Sequence, residues 1–178
     1  GCWRIDDPYV TGVSATSSEV CPGYLFFALP GVKVHGANFF EKALKLGALG
    51  IVTDLEGKLI IDRFKHDVPI IIVERPRLSL ALSASKLYCN QPEVMIAVTG
   101  TNGKTSVSSF VRQLWELFFY KAVNIGTLGV QGALEFDTTL TTPEPAQLHK
   151  LLHYLESEGV TYACLEASSH GLEQFRLD

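Results

Sequence analysis

The sequence predicts an α/β fold in two parts. A small N-terminal α/β domain is predicted over residues 1–90, and a second domain, whose parallel sheet carries a phosphate-binding loop, over residues 91–178. Short apolar runs bounded by Gly and Pro alternate with amphipathic stripes, which is the pattern of strands alternating with helices. Asn90-Gln91-Pro92 interrupts a helix just before the strand that delivers the loop, so the domain boundary is predicted near residue 91.

Composition and charge exclude some classes of protein. The chain has 178 residues, 47% of them hydrophobic, which is enough for substantial cores. Fifteen Lys and Arg residues against nineteen Asp and Glu residues give a net charge of −4, and no long basic run occurs. A nucleic-acid-binding surface is therefore not predicted.

The sequence favours neither a membrane segment nor a disulfide framework. Its longest apolar stretches, 24–30 and 68–73, fall far short of the roughly 18 residues that span a bilayer, and no signal peptide opens the chain, so we expect a cytoplasmic protein. The four cysteines are widely spaced without a C-x-x-C pair and are predicted to be reduced thiols. The first residue is Gly1 and the last is Asp178, without a helix or turn signal, which favours a piece of a longer protein.

The first domain is predicted from apolar runs and turn signals. Residues 1–22 are mostly loop, with one short strand near 9–14. Further strands are predicted over 24–29, 48–53, 59–61 and 68–73, and helices over 36–46 and 77–88. Gly47 is the predicted C-cap of the first helix.

The second domain is organised around 94–105. Val94 to Val98 is apolar without alternation, as expected for a parallel strand covered on both faces. Gly100 and Gly103 permit a turn whose N–H groups point into one concavity, while Lys104 supplies charge for phosphate and Thr105 a hydroxyl for Mg²⁺. The match to G-x-x-x-x-G-K-[ST] is imperfect, because Val98 replaces the first glycine. A strand–turn–helix corner with an incidental lysine is the alternative.

The elements after the loop follow the same logic. Apolar residues at helical spacing predict an amphipathic helix over 104–119. A strand over 122–125, a glycine-rich connection over 126–132, a helix over 144–158, a strand over 161–165 and a polar turn over 168–171 complete the chain. Thr141 and Glu144 form a predicted capping box for the last long helix. Three strands and two helices would leave apolar surface of this domain bare.

An acidic residue stands where ligands bind in open α/β sheets. Glu166 follows a buried strand at its carboxyl end, beside the predicted phosphates, and is a candidate ligand for Mg²⁺. A capping or salt-bridge glutamate is the alternative. His149 and His153 lie one helical turn apart, but without an H-E-x-x-H glutamate they are predicted to face solvent rather than bind zinc.

Three motifs together carry a resemblance that spans nearly the whole chain. The segments TGTNGKT (99–105), TTPEP (141–145) and EASSHGLEQFR (166–176) resemble the Mur ligase family of peptidoglycan synthesis, most of all its branch that adds the third peptide residue. Residues 14–48 are similar to the family's uridine-binding domain. The resemblance implies a UDP-substrate-binding N-terminal domain, followed by a truncated P-loop-type parallel-sheet ATPase domain.

Site residues follow from the resemblance position by position. It implies ATP and Mg²⁺ as cofactors. Phosphate contacts are implied for Gly100, Thr101, Asn102, Gly103, Lys104, Thr105 and Ser106, and Mg²⁺ contacts for Thr105 and Glu166. Contacts with the UDP-linked muramoyl-dipeptide are implied for Ser17, Thr141, Thr142, Ser168, Gln174 and Arg176. Ser17 is flanked by Thr16 and Ser18 where the family has an Asp-Ser-Arg motif.

The reaction implied is ATP-dependent amide formation through an acyl phosphate, in a monomeric enzyme, with Lys104 and Glu166 as the catalytic residues. The acceptor is UDP-MurNAc-L-Ala-D-Glu, and the added diamino acid is meso-diaminopimelate or L-lysine. We expect residues 1–178 alone to be inactive. Two alternatives remain open at this stage, an unrelated P-loop NTPase or kinase and a non-catalytic module that binds only the uridine nucleotide. No G-x-S-x-G context surrounds Ser168, which disfavours a serine hydrolase.

Overall fold

Two separate four-stranded sheets organise the chain. The computed structural model describes residues 9–137 and 143–177, and the chain divides into two units, Gly1–Leu87 and Tyr88–Asp178. Each unit has its own hydrophobic core. None of the helices in the described ranges combines the length and apolar character needed to cross a membrane.

The first unit is built on a parallel sheet with strand order β1-β2-β3-β4. Its strands are β1 (Gly12–Ser14), β2 (Tyr24–Ala28), β3 (Gly50–Thr53) and β4 (Ile70–Ile72). Its helices are α1 (Phe40–Lys45), α2 (Leu55–Ile61) and α3 (Pro76–Leu87), with 3₁₀ helices over Ser17–Glu19 and Gly36–Phe39. The α/β class predicted from sequence is confirmed.

The core of this unit is formed by apolar residues of alternating strands and helices. Phe26 of β2 and Ile51 of β3 pack with Phe40 and Ala43 of α1. Helix α3 contacts β1 and β2 and buries Leu80. Fully burying a side chain of this size contributes roughly 1.5–3 kcal/mol, so this packing holds the strand ends in place.

The second unit contains a mixed sheet with order β5-β8-β6-β7. Its elements are β5 (Val94–Val98), α4 (Lys104–Leu117), β6 (Ala122–Gly126), β7 (Gly129–Gly132), α5 (Pro145–Ser157), β8 (Tyr162–Glu166) and α6 (Ser169–Glu173). Strands β5, β8 and β6 are parallel, and β7 runs antiparallel to β6. Helix α5 contributes Leu148, Leu152 and Leu155 to the core of this unit.

The prediction of a strand over 59–61 is wrong, because these residues belong to helix α2. The Asp54 side chain accepts a hydrogen bond from the backbone N–H of Gly57 and caps the helix. A carboxylate cap at the first turn satisfies a free N–H group, and it outweighs the strand preference of the two isoleucines.

Two predicted connections are regular structure. The predicted connection over 126–132 contains strand β7, which pairs with residues Val123 to Gly126 of β6. The predicted polar turn over 168–171 is the start of helix α6, and the Ser168 hydroxyl caps it by accepting from Gly171 N–H at 3.0 Å. Glycine is a poor strand former, so pairing with β6 decides the first case. The second is a local effect, because serine is a favoured N-cap residue.

The capping box predicted for the last long helix is wrong. Helix α5 begins at Pro145, its N-cap is Glu144, and that side chain makes no cap hydrogen bond. Proline suits this first helical position because its missing N–H would be unpaired there. Thr141 lies outside the described residues.

Strand β5 was predicted to be covered on both faces, and this is wrong. It lies at the end of the described strand order and its residues are half-buried to exposed, with Ile96 39% exposed. The apolar stripe of α4 is also largely exposed, including Val107, Phe110 and Leu114. The face of α4 that meets the sheet carries the buried Ser108 instead. The bare apolar surface predicted for this unit is therefore observed.

Candidate functional site

The carboxyl ends of three parallel strands meet at one edge of the second sheet. Val98 at the end of β5 is in register with Glu166 at the end of β8. Ile125 of β6 is in register with Leu165 of β8. The glycine-rich loop follows β5 and Thr127 follows β6, so loop, acid and hairpin turn converge on one place. Open α/β sheets bind ligands at this edge.

The loop has the backbone conformation that the glycines were predicted to allow. Gly100 has φ +146° and Gly103 has φ +81°, and Gly103 is the N-cap of α4. A Cβ atom at Gly103 would meet nothing within 4 Å, so the left-handed backbone, rather than crowding, calls for glycine. The first-turn N–H groups of α4 lie at this loop, where the helix dipole favours an anion.

The polar side chains of the loop remain accessible. Thr101, Asn102 and Ser106 are exposed, and Lys104 is partly exposed. Lys104 is the first residue of α4, and its Nζ donates to the carbonyl oxygen of Gly100 at 2.8 Å. This contact folds the ammonium group back over the loop, where a positive charge can neutralise an anion.

Glu166 is buried and hydrogen-bonded. Only 1% of Glu166 is exposed, and its Oε2 accepts a hydrogen bond from the hydroxyl of Thr105 at 3.1 Å. Thr127 donates to the same carboxylate from its backbone N–H, to Oε1 at 3.2 Å, and from its hydroxyl, to Oε2 at 3.2 Å. Thr105 and Glu166, predicted from distant parts of the sequence to share one metal ion, are therefore in direct contact.

The oxygen atoms at this edge fit a Mg²⁺ ion. Adjacent ligands of an octahedral ion with bonds of about 2.0–2.1 Å lie about 3 Å apart, and Thr105 Oγ1 and Glu166 Oε2 are separated by 3.1 Å. Mg²⁺ is commonly bound through one or two carboxylates together with substrate phosphates. Within residues 9–137 and 143–177, no three His, Cys, Asp or Glu side chains gather closely enough to hold a metal ion by themselves.

The thiol beside this site is inert. Cys164 lies on β8 two residues before Glu166 and is fully buried. Burial, and after it the negative charge of the nearby Glu166 carboxylate, raises the pKa of Cys164 to about 11. The group is therefore a neutral thiol at physiological pH and does not act as a nucleophile.

A second polar cluster joins two of the sequence motifs. The guanidinium of Arg176 makes an ion pair with Glu144 Oε1 at 2.9 Å and donates to Gln174 Oε1 at 2.7 Å. Only 11% of the Arg176 side chain is exposed. Glu144 was not predicted as a site residue, although its position in TTPEP was a signal. Thr141 and Thr142 lie outside the described residues.

The first unit carries a buried polar pair that was not predicted from the sequence. His35 is buried, and its Nδ1 accepts from the N–H of Ala37 at 3.0 Å, so the proton is on Nε2, which donates to Asp54 Oδ1 at 3.1 Å. The pair lies just beyond the carboxyl ends of β2 and β3. Ser17, the predicted uridine contact, lies in the 3₁₀ helix that follows β1 and is half-buried.

His149 and His153 do not both face solvent as predicted. His149 is buried at 8% exposure and His153 is half-buried in α5. His153 lies 6.3 Å from the ring of Tyr88. Helix α5 packs its apolar stripe against the sheet, and both histidines lie close to that stripe.

Comparison with known proteins assigns the chain to a family. A family model described as "Mur ligase family, catalytic domain" matches residues 9–88, and one described as "Mur ligase middle domain" matches residues 98–178. The chain belongs to the Mur ligase family. Ser17, His35 and Asp54 fall within the first match, and the loop and Glu166 within the second.

Individual Mur ligases are similar over nearly the whole chain. The UDP-N-acetylmuramoyl-L-alanyl-D-glutamate--2,6-diaminopimelate ligase of Mesorhizobium japonicum is 49% identical over 97% of this chain and 35% of its own length. The protein of the same name from Brucella melitensis is 50% identical over 95% of this chain and 34% of its own length. The chain thus spans about a third of the length of the curated relatives it matches.

Solved Mur ligase structures have the same architecture. A UDP-N-acetylmuramoyl-L-alanyl-D-glutamate--2,6-diaminopimelate ligase is 32% identical, with a TM-score of 0.78 over 98% of this chain and 36% of its own. The MurF ligase of Thermotoga maritima, solved in complex with ADP, has a TM-score of 0.60 over 93% of this chain and 34% of its own, at 21% identity, which shows the fold alone.

Proposed function

We propose that this chain supplies the ATP-binding loop and part of the acceptor site of an ATP-dependent ligase. That ligase joins a diamino acid to UDP-N-acetylmuramoyl-L-alanyl-D-glutamate. The observation that carries the proposal is the contact between Thr105 and Glu166 at the mouth of the loop. It occurs in a chain that is 49% identical to a protein named as such a ligase.

The loop and the start of α4 hold the nucleotide phosphates. The residues from Gly100 to Gly103 are proposed to wrap the phosphates with their N–H groups, and Lys104, whose Nζ lies at the Gly100 carbonyl, contributes a positive charge beside them. Thr101, Asn102 and Ser106 complete the accessible lining. Thr105 and Glu166 would hold Mg²⁺, which would supply positive charge to the phosphate oxygens.

The chemistry consists of two displacements. The terminal carboxylate of the acceptor attacks the γ-phosphorus of ATP, ADP leaves, and an acyl phosphate forms. The amine of the diamino acid then attacks the acyl carbon, inorganic phosphate leaves with the bonding electron pair, and the nitrogen loses a proton to water. Lys104 and the loop N–H groups act by positioning two anions and reducing their repulsion. No side-chain nucleophile is needed.

The acceptor is held by the other predicted residues. Contacts with the UDP-linked muramoyl-dipeptide are proposed for Ser17, Thr141, Thr142, Ser168, Gln174 and Arg176. We propose 2,6-diaminopimelate, rather than lysine, as the amino acid, because the relatives at 49% and 50% identity are named for it.

The test is ADP release by the complete gene product that carries this chain, with ATP, the UDP-linked dipeptide and either diaminopimelate or lysine. We expect ADP release and a tripeptide product with diaminopimelate. Lys104→Ala is expected to lower turnover by about 10²- to 10³-fold with little change in unfolding temperature, because it removes a charge and one exposed hydrogen bond to Gly100 but no core packing. Lys150→Ala, at an exposed position of α5, is the matched control.

Other outcomes would select the alternatives. Phosphorylation of a substrate that lacks uridine would indicate a kinase. Binding of UDP-sugars without ATP binding would indicate a module that only recognises the uridine nucleotide. Near wild-type turnover in Lys104→Ala would refute the assignment of the loop.

A further inference from the structure

Thr127 donates hydrogen bonds to both oxygen atoms of the buried Glu166 carboxylate. Its backbone N–H donates to Oε1 and its hydroxyl donates to Oε2, each at 3.2 Å. Oε2 is also the atom that accepts from Thr105. The residue belongs to none of the three motifs that predicted the site, and 39 residues separate it from Glu166.

The turn that presents Thr127 is shaped around the carboxylate. Gly126 ends β6, and a Cβ atom there would lie 2.0 Å from Glu166 Oε1 and 2.4 Å from Cδ. Gly126 pairs with Gly129 across the β6–β7 hairpin, and Gly129 has φ +87°. Glycine at 126 therefore leaves room for the carboxylate, and the hairpin pairing fixes where the Thr127 N–H and hydroxyl point.

Two contacts from one residue restrict the rotation of a carboxylate. The terminal torsion of glutamate has a broad, shallow preference, so burial by itself does not select one orientation of the two oxygens. With Thr127 on both atoms, Oε2 stays beside Thr105. A metal ligand held in advance by its surroundings loses less freedom when the ion binds.

We propose that Thr127 is a positioning residue, which orients Glu166 so that Oε2 faces Thr105 and the phosphate-binding loop and is ready to bind the divalent ion of a metal–nucleotide complex. This inference rests on the proposed function, because it takes Glu166 and Thr105 as the ligands of that ion. It adds the β6–β7 turn to the site, with Gly126 as the residue that makes space for the carboxylate.

Two substitutions separate positioning from a merely structural role in the turn. Thr127→Val keeps the backbone N–H and the branched shape but removes the hydroxyl bond to Oε2. Thr127→Ser keeps the hydroxyl. Thr127 is exposed, so neither change is expected to alter the fold, and circular dichroism checks this. Thr161→Val, at another exposed threonine outside the site, is the matched control.

The experiment titrates Mn²⁺ into the complete gene product without nucleotide, because ATP itself binds Mn²⁺, and follows free Mn²⁺ by electron paramagnetic resonance. Partners of metal ligands typically account for about 10- to 100-fold in metal affinity, so we expect Thr127→Val to weaken Mn²⁺ binding by about tenfold. Thr127→Ser and Thr161→Val should bind like the unmodified protein. The KM for the UDP-linked acceptor should not change in any of the three.

Glu166→Gln and Lys104→Ala distinguish the failure of this inference from the failure of the proposed function. If Glu166→Gln weakens Mn²⁺ binding and Thr127→Val does not, the positioning role is refuted and the metal site stands. Equal loss in Thr127→Ser and Thr127→Val would also refute it, because the hydroxyl would not be the cause. If Glu166→Gln and Lys104→Ala both leave Mn²⁺ and ATP binding unchanged, the proposed function itself is refuted.

Discussion

Arg176 is one of the predicted substrate contacts, and its charged side chain has defined partners. Its guanidinium lies between Glu144 and Gln174, with 11% of the side chain exposed. A planar guanidinium can bind a carboxylate or phosphate through two parallel hydrogen bonds. The pairing with Glu144 fixes its orientation, and an anionic substrate group is the ligand that we propose for it.

Arg176→Ala is predicted to raise the KM for the UDP-linked dipeptide by at least about tenfold, which corresponds to about 1.4 kcal/mol, and to change the KM for ATP much less. The reason is that the arginine is proposed to contact the acceptor and not the nucleotide. Steady-state kinetics on the complete gene product, with each substrate varied in turn, measures both values. Arg63→Ala, at an exposed position of the first unit, serves as control. Equal effects on both substrates would mean that Arg176 acts on a different ligand.

Cys164 is predicted to resist alkylation up to strongly alkaline pH. The thiolate is the reactive form, and a pKa of about 11 leaves only about one part in a thousand ionised at pH 8. Reactivity should rise as the pH approaches 11, because the shift is upward and the charged form appears only there. Exposed Cys21 and Cys89 should react first. Peptide mass spectrometry after iodoacetamide treatment at pH 8 measures this, and labelling of Cys164 at the rate of Cys89 would contradict it.

At the scale of elements, helix α4 ends in a conformation that glycine normally occupies. Tyr120 N–H donates to Trp115 C=O and Phe119 N–H donates to Glu116 C=O, which is the Schellman pattern. Phe119 takes the left-handed position of this motif with φ +62°, and it is 97% exposed. A bulky residue in this region is strained, and little packing offsets the strain.

Phe119→Gly is predicted to stabilise the second unit by about 0.5–1 kcal/mol. Relief of the left-handed conformation, about 1–2 kcal/mol, exceeds the entropic cost of glycine, about 0.5–1 kcal/mol. Urea unfolding followed by circular dichroism measures the change. Phe118→Gly is the matched control, because Phe118 is also exposed but has φ −91°, and there glycine should destabilise. A lower urea midpoint for Phe119→Gly would show that the exposed ring contributes more than the strain costs.

At the scale of the whole molecule, the second unit presents much apolar surface. Strand β5 ends the described sheet, and the stripe of α4 adds Phe110 at 61% exposure and Leu117 at 73%. Exposed apolar patches of this kind promote association. The phosphate-binding loop, beside β5, is likewise open to water.

Residues 1–178 alone are predicted not to catalyse ligation. The chain spans about a third of the length of its curated relatives, and a loop open to water does not hold two anions in reacting geometry. A misplacement of about 1 Å can cost roughly 10²-fold in rate. Amide formation and ADP release by the purified chain, measured beside the full-length Mesorhizobium japonicum relative, test this. Turnover within tenfold of that relative would show that the chain contains the complete catalytic machinery.

Features that depend on neighbouring residues could be predicted from sequence. Most strands and helices, and the α/β class, were confirmed, because apolar periodicity and Gly and Pro signals are local. The phosphate-binding loop was predicted in the same way, because two glycines, a lysine and a threonine stand together after a strand. Glu166 was predicted because a carboxylate rarely ends an apolar strand without a partner.

Features that depend on which distant residues meet could not be predicted. Strand β7 exists because glycines pair with β6, although their propensity indicates a loop. The burial of His35 against Asp54 and the ion pair of Arg176 with Glu144 join residues 19 and 32 positions apart.

The sequence by itself determined the α/β alternation, the glycine-rich turn before α4 and the acid at the end of β8, since each follows from backbone freedom, charge or periodicity within a few residues. Only the tertiary structure decided that Thr127 holds Glu166, that Gly126 makes room for it, and that the apolar stripe of α4 faces outward. The physical reason is that hydrogen bonding and burial are properties of pairs of elements, and the pairing of β6, β8 and α4 appears only when the sheet forms.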